Sequence, residues 1–307
     1  MFEYQRLYWN HLRGEHLKVV LNIVLYVILS SIVSIIGIGL GFTVIGGTIF
    51  SWTSAQSGPG ALGIIGILLA VLYIIAFIVF VLLLLGYGHY NYFFLAYEEK
   101  DSKFNHGLFA FKKGRYLKSL GLVIIISIIA FATNFALSFV TLPLNLALEP
   151  EIMISGDVSA SFTPTLIILS IIGMVVSIFV GFMIEGVTLS IWFRHLEAPM
   201  STLGDKLATG INVVFKNFKQ FLKLVFSVFL IGLLLTIVIG VIIISGVAIG
   251  MALNNDIAMF FIVPIIIIVS IVIGLLGTYL IYGSYVTFYK ENRARLNLDD
   301  EIEYIEA

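Results

Sequence analysis

Long apolar runs separated by short polar joints dominate the pattern of this chain. Six runs rich in Ile, Leu, Val and Phe cover roughly residues 19–49, 61–95, 117–141, 165–193, 221–250 and 259–289. About 20 consecutive apolar residues are enough for a helix to span the ~30 Å hydrocarbon core of a bilayer. A transmembrane β-barrel would instead need short segments in which apolar and polar residues alternate. The pattern therefore predicts an all-α integral membrane protein with six transmembrane helices.

The composition agrees with the pattern. Of 307 residues, 60% are hydrophobic and 11% are charged, and the mean hydropathy is +1.09. A soluble domain has about 45–50% apolar and about 25% charged residues. The chain has no cysteine, which excludes disulfides and Cys-ligated metals. The first run, Val19–Phe50, is longer than the ~7–15 residues of a signal-peptide core, so we expect it to remain as an anchor.

Basic residues divide the polar joints into two kinds. All 17 Lys and Arg residues lie in the N-terminal segment, in the joints 96–118 and 194–223, or at the end of the last run. The joints 51–60, 141–164 and 251–256 contain none. Short joints rich in Lys and Arg stay in the cytoplasm. We therefore expect a multi-pass protein of the plasma membrane with both termini in the cytoplasm.

Three stretches of the chain share features that indicate an internal repeat. Gly88, Gly186 and Gly283 lie 98 and 97 residues apart, and each is followed six residues later by an aromatic residue. These aromatic residues are Phe94, Trp192 and Tyr289. A Leu-Lys pair also opens the first, third and fifth runs. The alternative is that unrelated spans simply end alike, in glycine, an aromatic belt and a base.

The repeat interpretation predicts three parallel hairpins in a single membrane domain, residues 1–307. The repeats would cover approximately residues 1–100, 101–198 and 199–295, and residues 296–307 would form an acidic C-terminal tail. Because every unit begins and ends on the same side, a pseudo-threefold axis would run along the membrane normal.

Each predicted repeat begins with an amphipathic segment on the basic side, where we expect an interfacial cytoplasmic helix. In the third repeat Thr202 and Asp205 form a helix-capping pattern before an apolar stripe. The stripe consists of Leu203, Leu207, Ile211, Val214 and Phe215. Bases beside such stripes attract anionic lipid headgroups by about 1 kcal/mol each. The candidate lipid- or partner-facing bases are Lys112, Lys113, Arg115, Lys216 and Lys219. The alternative is a helix that merely lies on the bilayer.

Glu185 is the outstanding polar residue within an apolar run. It lies nine residues before Arg194, which is about 13 Å along a helix at 1.5 Å per residue. An ionisable group at this depth costs about 2.5–3.5 kcal/mol on insertion scales, so it suggests a function. In the repeat alignment its counterparts are Tyr87 and Tyr282, with His89 nearby. These four residues are the candidate substrate- or ion-binding site. The alternative is a structural glutamate that sets helix register.

Two other features bear on architecture. The pairs Gly37/Gly41 and Gly246/Gly250 have the GxxxG spacing, which allows close helix packing either within the bundle or between copies. Pro264 is expected to interrupt the sixth run.

The segment from Gly86 to Lys113 reads GYGHYNYFFLAYEEKDSKFNHGLFAFKK and resembles a group of bacterial membrane proteins of unknown function, described as YciC-like. The residues that carry the likeness are Gly86, Gly88, Tyr90, Phe94, Glu98, Phe109, Phe111 and Lys112. The resemblance implies a six-span protein of the bacterial plasma membrane and brings no catalytic residues.

No motif for catalysis or cofactor binding is found in the sequence. HExxH, GxSxG and GxxxxGK[ST] are missing. We therefore expect no enzyme activity, cofactor, metal or nucleic acid. The expected function is that of an accessory, scaffold or resistance-type protein acting through membrane lipids, a membrane protein partner or a second copy of itself. The alternative is a small-molecule or ion permease built around Glu185.

Overall fold

The computed structural model of the chain describes residues 2–12, 14–55, 61–99, 103–147, 164–253 and 256–296. The acidic tail after residue 296 and most of the joint 141–164 lie outside the described residues, so the predictions for them stay untested.

Within these ranges the chain forms nine α-helices and no strand. The α-helices are α1 (Glu3–His11), α2 (His16–Ala55), α3 (Ala61–Phe77), α4 (Leu83–Glu99), α5 (Tyr116–Ala147), α6 (Pro164–Glu197), α7 (Leu203–Lys216), α8 (Phe218–Leu253) and α9 (Asp256–Ala294). A π-helical segment, Ile78–Leu82, joins α3 to α4, and Phe104–Phe111 is a 3₁₀ helix. Six helical stretches are long and apolar enough to cross a membrane: α2, α3 with α4, α5, α6, α8 and α9. The prediction of a polytopic six-helix membrane protein is therefore confirmed.

A π-helical segment is the irregular part of the described spans. At the π-helical segment the Phe80 carbonyl accepts a hydrogen bond of 2.8 Å from the Tyr116 hydroxyl on α5. Such segments disturb the regular backbone pairing, and here a side chain from the next span supplies a partner. By contrast, α9 continues through Pro264. The predicted interruption is wrong, because a membrane helix tolerates proline where local adjustment and neighbouring groups satisfy the freed carbonyl.

The helices pack as a ring around three central helices. α4, α6 and α9 contact one another, while α2, α5 and α8 pack beside them. Each short helix packs on one central helix. The 3₁₀ helix packs on α4 and α7 packs on α6, in each case on the central helix just before it in the chain, while α1 packs on the last helix, α9. The contact between α1 and α9 closes the ring by joining the first and the last of the described helices.

The three aligned glycines lie where aromatic side chains press closest to the central helices. A methyl group at Gly88 would collide with Tyr26 and with the Gly107 carbonyl, one at Gly186 with Phe221, and one at Gly283 with Tyr8. Glycine is required at these positions because the approach leaves no space for a Cβ.

Large buried side chains are concentrated at one end of the spans. We call this end, where α1, α7 and the 3₁₀ helix lie, the loop side, and the opposite end the open side. The largest buried side chains all belong to the loop side, and they include Tyr8, Tyr26, Tyr92, Phe93, Phe94, Trp192, Phe193, Phe221, Tyr279, Tyr285, Phe288 and Tyr289. Among the described residues deep in the open side, only small ones are buried, namely Gly37, Gly41, Ala70, Gly173 and Gly246.

On the open side the close contacts run within hairpins. Gly37 faces Phe77 of the same hairpin, and Gly246 faces Ile266 of its own hairpin. The GxxxG glycines Gly37 and Gly246 therefore serve helix packing within the bundle and not between copies of the protein. Large apolar side chains on the other faces, such as Leu68, Phe131 and Ile171, are exposed. The hairpins thus meet on the loop side and stand apart on the open side.

Candidate functional site

A layer of polar side chains lies where the packed loop side meets the open side. Glu185 on α6 is half-buried there. The Tyr282 hydroxyl on α9 lies within hydrogen-bonding reach of both the Glu185 carboxyl and the Tyr90 hydroxyl on α4. The rings of Tyr90 and Tyr282 meet edge to face, with centroids 4.8 Å apart. Tyr285 also lies close enough to interact electrostatically with Glu185, and we refer to these four residues as the polar layer.

The structure brings two of the four sequence-predicted site residues into direct contact. Glu185 and Tyr282 meet as expected. His89 lies beside them, with its ring 3.8 Å from that of Tyr90 and 5.7 Å from that of Tyr282. Tyr87 instead packs against Trp192, with ring centroids 5.0 Å apart.

Tyr90 takes the place that the sequence alignment assigned to Tyr87. The two residues are three positions apart and therefore share a helix face, one turn from each other. The alignment identifies the correct face of α4, but the relative height of the central helices decides which turn reaches Glu185.

An aromatic layer closes the centre immediately below the polar layer. Phe94, Phe193 and Tyr289 come from the three central helices, and their ring centroids are 5.2 to 6.1 Å apart. Each side chain is at most 1% exposed. Trp192, the predicted counterpart of Phe94 and Tyr289, lies to one side and donates a hydrogen bond of 2.7 Å from Nε1 to Asn91. No space for a solvated path remains between rings packed in this way.

Below the aromatic layer lies a buried ionic layer that sequence reasoning did not find. Glu197 is its centre, and its side chain is 6% exposed. The carboxylate accepts hydrogen bonds from the Tyr289 hydroxyl at 2.7 Å, from Lys290 at 2.5 Å and from Arg293 at 3.0 Å. Lys290 also pairs with Glu98. The layer thus ties the ends of α4, α6 and α9 together.

The ionic layer extends to α7 through Arg194. Its Nε donates to Asp205 at 3.0 Å, and its Nη1 lies 3.9 Å from Glu197. Burial alone would raise the pKa of Asp205, but the hydrogen bond and charge of Arg194 outweigh it and lower that pKa. Nearby, burial and the charge of Lys118 lower the pKa of Lys206 to about 8.

A sequence signal for the ionic layer exists. The second, fourth and sixth spans all end in aromatic residues followed by charges of both signs, as in YEEK, FRHLE and YKENR. Charges at span ends are usually interpreted as interfacial flanks. Each span end taken alone would be interpreted as a solvated flank. The three ends are recognised as one buried network only when the fold brings them together.

The predicted basic surface is present around the loop side. Lys113, Lys216 and Lys219 are exposed, whereas Lys112 and Arg115 are half-buried. The Arg115 guanidinium lies 4.5 Å from the ring centre of Phe109. Partial burial lowers the pKa of Arg115. We call the five bases the basic collar.

The predicted helix after Thr202 is confirmed, since the Asp205 amide donates to the Thr202 hydroxyl at 3.2 Å. Its predicted apolar stripe is divided: Val214 is buried, while Ile211 and Phe215 are exposed. The buried face of α7 combines Lys206, Thr209 and Gly210 with Val213 and Val214, and α6 approaches it closely at Gly210.

No group of three or more His, Asp and Glu residues that could hold a metal ion occurs in the part of the chain that the structure describes. Comparison with models of protein families, with curated proteins and with solved structures finds no match. Function must therefore be argued from the layers and surfaces themselves.

Proposed function

We propose that this protein is a non-enzymatic accessory or resistance-type protein of the bacterial plasma membrane that acts by binding membrane lipids. The observation that carries the proposal is the division of the molecule into a sealed loop side and separated hairpins. A sealed centre suits binding better than passage, because the aromatic and ionic layers lie across any route along the axis. The separated hairpins offer apolar faces that lipid chains can cover.

The proposal includes three hairpin repeats about a pseudo-threefold axis. Two observations support it. The short helices pack on the central helices in a cyclic order, with α1 completing the cycle on α9. The aligned glycines Gly88, Gly186 and Gly283 also share one role, as the places where an aromatic ring presses on a central helix.

The proposal also includes a cytoplasmic loop side with interfacial helices. The exposed bases of the collar and the exposed apolar residues of α7, Ile211 and Phe215, support it. Bases with apolar neighbours hold a helix at an anionic surface. The assignment to bacteria rests on the resemblance of Gly86–Lys113 to YciC-like proteins.

Lipid identification after extraction in native membrane patches tests the proposed function. We expect anionic lipids to be enriched around the protein relative to the bulk membrane. A variant with Lys112, Lys113, Lys216 and Lys219 replaced by Gln should lose most of this enrichment, since each base contributes about 1 kcal/mol. The amount of zwitterionic lipid that co-purifies with the variant is the internal control, and it should equal that of the unmodified chain.

The proposal would be contradicted if the lipids around the unmodified chain and around the four-lysine variant both had the composition of the bulk membrane. A protein that co-purifies in fixed ratio would indicate action through a membrane protein partner, and a species of twice the mass would indicate a second copy of the chain.

A permease is the second candidate, and the position of Glu185 favours it. The carboxyl lies at the boundary to the open side, accessible without crossing the packed layers. Passage would then require the central helices to separate at the aromatic layer. Release of a trapped solute from proteoliposomes, dependent on the protein and absent in Glu185→Gln, would support this candidate over the first.

A further inference from the structure

The polar layer contains a carboxyl group without a positive partner. Among the residues that the structure describes, Glu185 forms no ion pair, although it interacts electrostatically with the phenol groups of Tyr282, Tyr90 and Tyr285. By contrast, the carboxylate of Glu197 is matched by several donors. A carboxyl group left without a cation in an apolar setting is costly, and a cation placed beside it would relieve that cost.

Tyr285 provides an independent sign that the layer is incomplete. Its side chain is 2% exposed, and its hydroxyl has no hydrogen-bond partner among the described residues. The ring nevertheless lies close enough to Glu185 and Tyr90 to interact with both electrostatically. Buried hydroxyl groups are usually paired, because an unpaired one loses the hydrogen bonds that it made with water.

Access to the layer is limited to the open side. The aromatic layer of Phe94, Phe193 and Tyr289 blocks the loop side. On the open side, Gly86 and Gly181 lie about one turn from the polar layer, and neither has a neighbouring atom within 4 Å of where a Cβ would be. A ligand that reaches Glu185 by this route passes between hairpins through hydrocarbon.

We propose that the polar layer binds a lipophilic organic cation, a single ammonium or phosphonium centre with alkyl or aryl groups. The Glu185 carboxylate would balance its charge, and the faces of Tyr90, Tyr282 and Tyr285 would add cation–π attraction. The apolar body would remain between the hairpins. A metal cation fits less well, since it needs several oxygen ligands and a solvated route. This inference goes beyond lipid binding and requires no transport.

Binding of tetraphenylphosphonium to the protein in nanodiscs tests the proposal, with tetraphenylborate as a probe of the same shape and opposite charge. We expect saturable phosphonium binding and no saturable borate binding above empty nanodiscs. Glu185→Gln should weaken phosphonium binding at least tenfold. Glu3→Gln, which removes the same charge at an exposed position on α1, should leave it unchanged.

The aromatic contribution has its own variants. Tyr282→Phe keeps the ring and should stay within a few-fold of the unmodified chain, whereas Tyr282→Leu should weaken phosphonium binding markedly. No saturable phosphonium binding, or equal affinity in folded Glu185→Gln, would overturn the proposal.

A measurement on the unmodified chain covers the case in which the variants do not fold. Dicyclohexylcarbodiimide modifies carboxyl groups within membranes, and mass spectrometry of the peptide containing Glu185 reports the rate. We expect saturating tetraphenylphosphonium to slow this modification several-fold, with tetraphenylborate having no effect. A rate that is independent of the phosphonium would sink the proposal, whatever the outcome of the lipid experiments.

Discussion

At the scale of single residues, the chain contains two glutamates in opposite situations. Glu197 is buried among hydroxyl, ammonium and guanidinium donors, whereas Glu185 interacts with the Tyr282 phenol and forms no ion pair in the described structure. Paired buried charges contribute little net stability, but removing one partner leaves the others uncompensated. The expected consequences of mutation therefore differ: Glu197 is a stability position, and Glu185 is a binding position.

Replacing Glu197 by Gln should lower the free energy of unfolding by about 3–5 kcal/mol, because Lys290 and Arg293 lose their shared anion. Glu15→Gln is the control, since Glu15 forms an exposed pair with Lys18 at 3.7 Å and should cost less than about 1 kcal/mol. Unfolding in mild detergent, followed by the loss of helical circular dichroism, measures both. Similar losses for the two variants would show that the ionic layer is solvated.

At the scale of elements, close contacts at glycine determine how the helices approach each other. Gly88 allows α4 to contact both Tyr26 on α2 and the backbone of the 3₁₀ helix at Gly107. Tyr26 then donates a hydrogen bond of 2.9 Å to the Leu85 carbonyl. In a membrane, where lipid is as apolar as a side chain, such packing and hydrogen bonding drive helix association.

Gly88→Ala should destabilise the protein by about 1–3 kcal/mol, because the added methyl group meets a ring and a carbonyl that are held in place. Gly86→Ala, two residues away in the same helix, meets nothing within 4 Å and should be neutral or stabilising by up to about 1 kcal/mol. Thermal unfolding midpoints of the two variants provide the comparison. An equal or larger loss in Gly86→Ala would contradict this account of α4.

At the scale of the whole molecule, the distribution of charge and the distribution of packing coincide. The basic joints, the ionic layer and almost all buried aromatic residues lie on the loop side. Hydrated charges resist transfer across the bilayer, so the side that holds them also becomes the side where loops and helix ends can assemble a polar and aromatic core.

The proposed orientation predicts which positions react from outside the cell. Because the chain has no native cysteine, Lys112→Cys, Lys219→Cys and Gln56→Cys each introduce a single thiol. In intact cells a membrane-impermeant maleimide should label only the thiol at position 56, and after permeabilisation it should label all three. Labelling at position 112 or 219 from outside would reverse the orientation.

The sequence by itself determined the number and type of the spans. An apolar run that is long enough to cross the bilayer must satisfy its backbone hydrogen bonds internally, which a continuous helix does. Six such runs therefore predict six transmembrane helices. The GxxxG spacing also located close helix approaches at Gly37, Gly41 and Gly246. The sequence likewise singled out Glu185, because a carboxyl group is unfavourable deep within a span without a specific reason.

Only the tertiary structure decided which side chains meet. Tyr90 rather than Tyr87 reaches Glu185, and Phe193 rather than Trp192 completes the aromatic layer. The charged ends of the three spans are visible in the sequence, but only the fold brings them together as the buried ionic layer around Glu197. The physical reason is that periodicity defines a face of each helix, whereas the height and rotation of one helix against another depend on the packing of all their neighbours.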